Sequence, residues 1–236
     1  MKDANKARKP IYTTASPFAQ PKVSQLQQPH HDAVTQLLIT ALRPIGEYRT
    51  TQSKPSKKKS KKRKRRATPA ASEAKADGDG MTGVETPALQ RPRIREDVLI
   101  GFNAVTRHLE TLSTLSAKAA AQAAEKPRHV AAVFLLRPLD DLIYSHLPTL
   151  CYTASLAHSE LPATRLVLLD PKVEKEVAAA LAQSPNVSVL AVLEAAEDSS
   201  SEALIDYARK EVQAVDVPWL KQATEAQWLG TNVDIQ

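Results

Sequence analysis

From Arg95 onward the chain alternates short apolar runs with amphipathic stretches. Such alternation fits a sheet covered by helices far better than an all-helical or all-strand fold. Val98 to Ile100 reads as a short strand ending at Gly101, and a helix beginning at Asn103 carries Val105, Leu109 and Leu112 on one face. Val130 to Leu136 is continuously apolar, the mark of a central strand buried on both faces. Leu166 to Leu169 and Val187 to Leu193 supply two more strands, with a helix from Lys172 to Leu181 between them. Pro138 to His158 has helical texture with Pro148 inside it, which predicts two short helices in line, because proline lacks the N–H an interior position needs. A last helix is expected from Ser201, with Ser199 and Glu202 spaced as a capping box and Leu204, Ile205, Ala208, Val212 and Val215 as its apolar stripe. The sum is an α/β domain: a four-stranded sheet between two layers of helices.

The rest of the chain divides by composition. Residues 1–29, rich in Pro, Gln, Ser and Thr with isolated Ile11, Tyr12 and Phe18, read as an extended arm. Residues 30–49 hold the first helix of the domain: Ala33, Val34, Leu37, Leu38, Ala41 and Leu42 fall at helical spacing from Asp32 to Ile45, with Asp32 as N-cap and Pro44 and Gly46 marking the end. Residues 50–94 have too few large apolar side chains to offset the entropy of ordering, and read as a disordered polybasic insertion. Residues 95–217 complete the domain, and 218–236 read as a C-terminal tail.

Charge is partitioned along the same lines. The tract from Lys54 to Arg66 carries ten positive charges and no acid, whereas residues 101–236 hold 11 basic and 17 acidic side chains. Within the tract, Lys57, Lys58, Lys59, Lys61, Lys62, Arg63, Lys64, Arg65 and Arg66 have the make-up of a nuclear localisation signal. Non-specific RNA contact and simple solubilisation are the other readings of such a block. One cysteine, Cys151, excludes an intramolecular disulfide, and nothing resembling a signal sequence opens the chain. An intracellular, reducing compartment is therefore expected. No apolar run approaches the roughly 18 residues a membrane span needs.

Catalytic and metal-binding patterns are missing from the sequence. His30 and His31 are adjacent where the arm meets the first helix, and His108, His129, His146 and His158 are scattered without metal-ligand spacing. Cys151 sits among apolar residues, where a small buried side chain is expected. Asp140 and Asp141 read as carboxylates complementing a helix start rather than as a catalytic pair. No phosphate loop, nucleophile elbow or HExxH pattern occurs, so neither enzymatic activity nor a cofactor is expected.

Gly101-Phe102-Asn103-Ala104-Val105-Thr106-Arg107 is the sharpest feature. It places a glycine, an amide and a guanidinium where a strand feeds a helix N-terminus, whose exposed N–H groups can receive an anion or a base edge. Glycine allows a close backbone approach. The competing reading makes Asn103 an ordinary N-cap and Arg107 a solvated surface residue.

This segment resembles the G-x-N-E-x-x-K signature of the ribosomal-protein family that binds kink-turn RNA, with Arg107 in place of the lysine and Ala104 in place of the glutamate. His146-Leu147-Pro148-Thr149-Leu150-Cys151 is similar to that family's third-helix run, and Asp170-Pro171-Lys172 to its serine-lysine pair after the third strand. Within the superfamily the chain resembles the fungal protein subunits of ribonuclease P and ribonuclease MRP named for processing of precursor RNA, third of that series. Tyr12 and Pro17, the run from Leu42 to Arg49, the basic insertion, Gly101-Phe102-Asn103 and Pro218-Trp219-Leu220 carry that likeness.

The resemblance implies a three-layer α/β/α sandwich with a four-stranded mixed sheet, and a non-catalytic RNA-binding subunit acting in precursor tRNA and precursor rRNA processing. Its partners would be ribonuclease P RNA, ribonuclease MRP RNA and the other protein subunits, in the nucleus or nucleolus, with no membrane. It further implies that Gly101 belongs to the RNA-binding surface, that Asn103 reads a purine edge, that Arg107 meets phosphate or guanine, that Lys172 contacts the opposite backbone, and that Ser184 and Asn186 lie near an extruded nucleotide. Ala104 removes an acceptor for guanine donors, worth roughly 1–3 kcal/mol of discrimination. Two other readings remain: a kink-turn-binding protein of another nucleolar or ribosomal particle, and a protein-interaction module that anchors through Phe18 and Trp219 and whose RNA surface has decayed.

Overall fold

The computed structural model of the protein describes residues 12–15, 19–52, 91–114, 127–183, 186–194, 201–225, 230 and 232–235. In chain order the elements are β1 (Tyr12–Ala15), α1 (Gln28–Gln52), α2 (Ile94–Asp97), β2 (Val98–Ile100), α3 (Phe102–Thr114) and β3 (Val130–Leu135). Then come α4 (Leu147–Leu156), β4 (Arg165–Leu168), a 3-10 turn at Pro171–Val173, α5 (Glu174–Ala180), β5 (Val189–Leu193), α6 (Glu202–Glu211), α7 (Pro218–Thr224) and β6 (Asn232–Ile235).

Four strands form one mixed sheet in the order β2-β5-β3-β4, with β3 parallel to β4 and β5 antiparallel to both β2 and β3. The continuous apolar run of β3 is explained by its place: all six residues are buried, and they alternate between two cores. Ala132 and Phe134 face the core built with Leu38, Leu42 and Ile45 of α1, Val177 of α5 and Leu204 and Ile205 of α6. Val133 and Leu135 face the core built with Val105, Leu109 and Leu112 of α3 and Leu147 and Cys151 of α4. The register slips between Val130 and Ala132, and Ala131 and Ala132 both join the α1 side, as an inserted residue in a ladder dictates. Helices therefore cover both faces of the sheet.

The first helix departs from its sequence reading. It runs from Gln28 to Gln52, straight through Pro44 and Gly46, and Asp32 lies inside it rather than capping it. An interior proline costs about 3 kcal/mol, but Leu42, Ile45 and Tyr48 on either side are buried and each returns about 1.5–3 kcal/mol by leaving water. Gly46 is there for contact. A Cβ at this position would sit 2.0 Å from the Ala180 carbonyl oxygen, so α1 and α5 cross backbone to backbone. One turn on, the Arg49 guanidinium donates to the Leu181 carbonyl (3.1 Å) and to Gln183 Oε1 (2.9 Å), satisfying a carbonyl that the end of α5 leaves open.

The stretch from Pro138 to His158 is one helix rather than two. Leu139 to His146 forms turns, closed by Tyr144 N–H donating to the Asp141 carbonyl at 2.9 Å, and α4 starts at Leu147 with Pro148 in its first turn. Asp140 and Asp141 thus lie in turns, not at a helix start. Leu142 and Ile143 point into solvent, so an α-helix there would have no apolar face to bury, and burial is what stabilises short helices.

The N-terminal and C-terminal segments also pair. β1 runs antiparallel to β6, and Lys22 exchanges backbone hydrogen bonds with Asp216 at 2.9 and 3.3 Å. The segment read as a tail begins with α7, and Trp219, expected as an anchor for a partner, packs partly buried against the protein's own α3–α4 core. Phe18, Ser199 and residues 53–90 lie outside the described residues.

Candidate nucleic-acid interface

The pairing of the strands decides which loops meet. Gly101 N–H donates to the Val189 carbonyl, Leu136 N–H to that of Ser188 and Leu169 N–H to that of Leu135, each at 2.9 Å. These are the last rungs of three adjacent ladders. Four chain segments therefore enter or leave the sheet at one common end, across a width of about 14 Å for three strand spacings. Gly101 to Arg107 occupies the β2 side, Asn186 the approach to β5, Arg137 the exit of β3, and Asp170 to Lys172 the exit of β4.

Gly101 turns the chain with φ +98°, and nothing lies within 4 Å of where its Cβ would be. Conformation, not space, requires glycine here. Its carbonyl accepts the first helical bond, from Val105 N–H at 3.1 Å, which makes Gly101 the N-cap of α3. Asn103 is thus the second helical residue, and the reading of Asn103 as N-cap does not hold. Asn103 and Arg107 are both exposed, and their four-residue spacing places them one above the other on the helix surface. The first-turn N–H groups of Phe102, Asn103 and Ala104 have no partner within the helix. Asn103 and Ala104 are exposed as well, so this terminus combines donors, an amide and a guanidinium on one accessible surface.

On the far side of the same end, Asp170 caps the 3-10 turn by accepting from Lys172 N–H at 2.9 Å. Asp170 N–H in turn donates to His31 Nε2 at 2.8 Å, so α1 fixes the turn. Lys172 is 91% exposed and its Nζ is 3.9 Å from Asp170 Oδ2, a loose contact that leaves the ammonium available. Asn186 is exposed between them. Ser184 and the basic residues from Lys57 to Arg66 lie outside the described residues.

Sequence reasoning missed three contributors. Arg137 leaves β3 at this end and lies 2.8 Å from the Glu174 carboxylate, which ties the loop to α5. His31 positions Asp170 from 139 residues away, a link with no local signal. Phe102 packs edge-on against Tyr144 (ring centroids 5.6 Å apart) and His146 (5.7 Å), locking the 139–146 turns against the start of α3. An aromatic residue immediately after the turn glycine was the available clue.

Cys151 is wholly buried in the α3–α4 core, and burial pushes its thiol up to about 12, far from the thiolate a nucleophile needs. No protein-family model matches the chain, and no characterised protein matches it by sequence.

Proposed function

We propose that the protein is a non-catalytic RNA-binding subunit of nuclear ribonuclease P and ribonuclease MRP, in precursor tRNA and precursor rRNA processing, and a member of the kink-turn-binding superfamily it resembles. The observation that carries the reading is the convergence of Gly101, Asn103, Arg107, Asn186 and Lys172 on one end of the sheet. In this reading Asn103 offers an amide to a purine edge, Arg107 a planar fork to guanine or phosphate, and Lys172 a point charge to the opposite backbone. Cleavage belongs to the RNA, and the chain contributes binding and assembly without a cofactor. The basic tract directs the protein to the nucleus, with the nucleolus as its site of work. The net acidity of residues 101–236 makes the affinity modest alone, and neighbouring subunits supply the remainder.

Co-purification of the full chain from its cells, followed by RNA sequencing, tests this. The expected result is enrichment of ribonuclease P and ribonuclease MRP RNA, lost when Asn103 and Arg107 are both replaced by Ala. Recovery of neither RNA overturns the assignment. Recovery of a different structured RNA, with the same loss, moves the protein to another particle.

A further inference from the structure

Between the exits of β3 and β4, at the same end of the sheet, lies a surface of different character. Leu142 and Ile143, 87% and 60% exposed, stand out on the turns after β3. They are held in place, because Ser145 Oγ donates to the Leu142 carbonyl at 2.8 Å, Tyr144 and Ser145 N–H donate to the Asp141 carbonyl, and Tyr144 packs on Phe102. Immediately before this knob is a hollow of about 310 Å³ with apolar walls from Val23, Pro138, Leu139, Leu168, Leu169 and Pro171. Arg137 also lines it, but its guanidinium is engaged by Glu174. Asp140 at the hollow and Asp141 at the knob are exposed, and among the described residues neither has an ion-pair partner.

We propose that knob and hollow together dock a protein partner, through a segment that presents an apolar side chain to the hollow and lysine or arginine to Asp140 and Asp141. Rigid exposed aliphatic residues flanked by polar ones mark an interaction surface. Because the turns are held in place, little ordering cost attends docking. The charge selects the class of partner: two carboxylates without an ion-pair partner among the described residues repel a phosphate backbone and complement a basic segment. The inference does not depend on what binds at Asn103 and Arg107.

The test places a photo-crosslinking p-benzoylphenylalanine at position 142 of the full chain in its cells and sequences the crosslinked product. Expected is one protein segment carrying an apolar residue next to lysine or arginine. Its yield should fall about tenfold in D140K/D141K, the scale of one lost hot-spot contact, and stay unchanged in N103A/R107A. All four of these positions are exposed, so the unfolding midpoint should be unchanged; D140N/D141N replaces the charge reversal if that variant unfolds. A crosslink to RNA, a segment without basic residues, loss in N103A/R107A but not in the Asp variants, or no crosslink overturns the proposal. RNA loss in N103A/R107A is read separately, so failure of one proposal does not count against the other.

Discussion

The two ends of the sheet treat their polar side chains in opposite ways. At the end where Gly101, Asn186 and Lys172 lie, the amide, guanidinium and ammonium groups are exposed and loosely held. At the other end they are bound to one another. Arg128 lies 2.8 Å from Asp97 and donates to the Glu194 carbonyl at 2.6 Å, and Arg209 pairs with the Glu194 carboxylate at 2.5 Å. There too, His129 Nε2 is 2.9 Å from the Pro162 carbonyl, and Thr164 Oγ1 donates to the Val130 carbonyl at 2.8 Å. The first end also ties its loops down, through Arg137 with Glu174 and His31 with Asp170, but it leaves Asn103, Arg107 and Lys172 exposed, whereas at the second the polar groups pair with one another. Groups with their hydrogen bonds made internally contribute stability and are lost to recognition, whereas exposed ones remain accessible to a ligand.

The largest expected effect lies at the bound end. Glu194→Leu leaves the mostly buried Arg209 guanidinium without its carboxylate, costing roughly 2–3 kcal/mol after allowing for partial solvent access. Urea denaturation should show the lowered midpoint, and RNA binding per folded molecule should be unchanged. A stable Glu194→Leu protein with weakened RNA binding would reverse the roles of the two ends.

Next comes N103A/R107A at the free end. On the proposed function, RNA affinity should drop about thirtyfold, roughly 2 kcal/mol, by loss of a base-edge amide and a guanidinium fork. Stability should stay within about 0.5 kcal/mol, because both side chains are exposed. Electrophoretic mobility shift at fixed salt measures the first and thermal unfolding the second.

How much of this contrast the sequence made legible depends on where each cause sits. The four strands of the main sheet were readable because alternate burial on two cores leaves an apolar run in β3 and short apolar segments elsewhere, whereas β1 and β6, which pair across the whole chain, fall in segments read as an arm and a tail. The turn at Gly101 was readable too, since a strand, a glycine and an amphipathic helix are consecutive. The continuity of α1 was not, because the reason for Gly46 is the Ala180 backbone and the burial that offsets Pro44 comes from distant elements. The solvent-facing turns at Leu142 and Ile143 were misread for a related reason: helical spacing of apolar residues says nothing unless a core stands opposite them. At the candidate interface the residue types were visible, but their gathering at one end required the strand order, which no local pattern encodes. The bound end escaped notice altogether, as Arg128, Glu194 and Arg209 come from three separate segments.

A pH titration sharpens the contrast with a smaller effect. Burial chiefly holds the His129 imidazole below its ordinary value of 6.5, so it stays neutral in the folded protein where the unfolded chain already takes a proton. The unfolded state then binds more protons, and stability must fall as pH drops below about 6.5 toward the folded value. Above 6.5 this contribution is fully present. Stability that rises with pH across that window is expected, with the dependence reduced in His129→Gln. Equal slopes in the two proteins would show that His129 does not carry the dependence.

Lys172 gives the smallest effect and the finest distinction. Its ammonium is almost wholly exposed and its contact with Asp170 is long, so Lys172→Gln should leave the unfolding midpoint where it is. The turn itself survives, because Asp170 caps it through the Lys172 backbone N–H, which the substitution keeps. What the variant loses is one positive charge about 14 Å across the sheet end from Asn103. If a single RNA spans that width, the salt dependence of binding loses about one unit of log–log slope and the affinity falls a few-fold, alike for matched and mismatched RNAs. If the slope is unchanged while N103A/R107A still weakens binding, the ligand sits on the α3 side alone, and the Lys172 turn belongs with the groups that hold the fold.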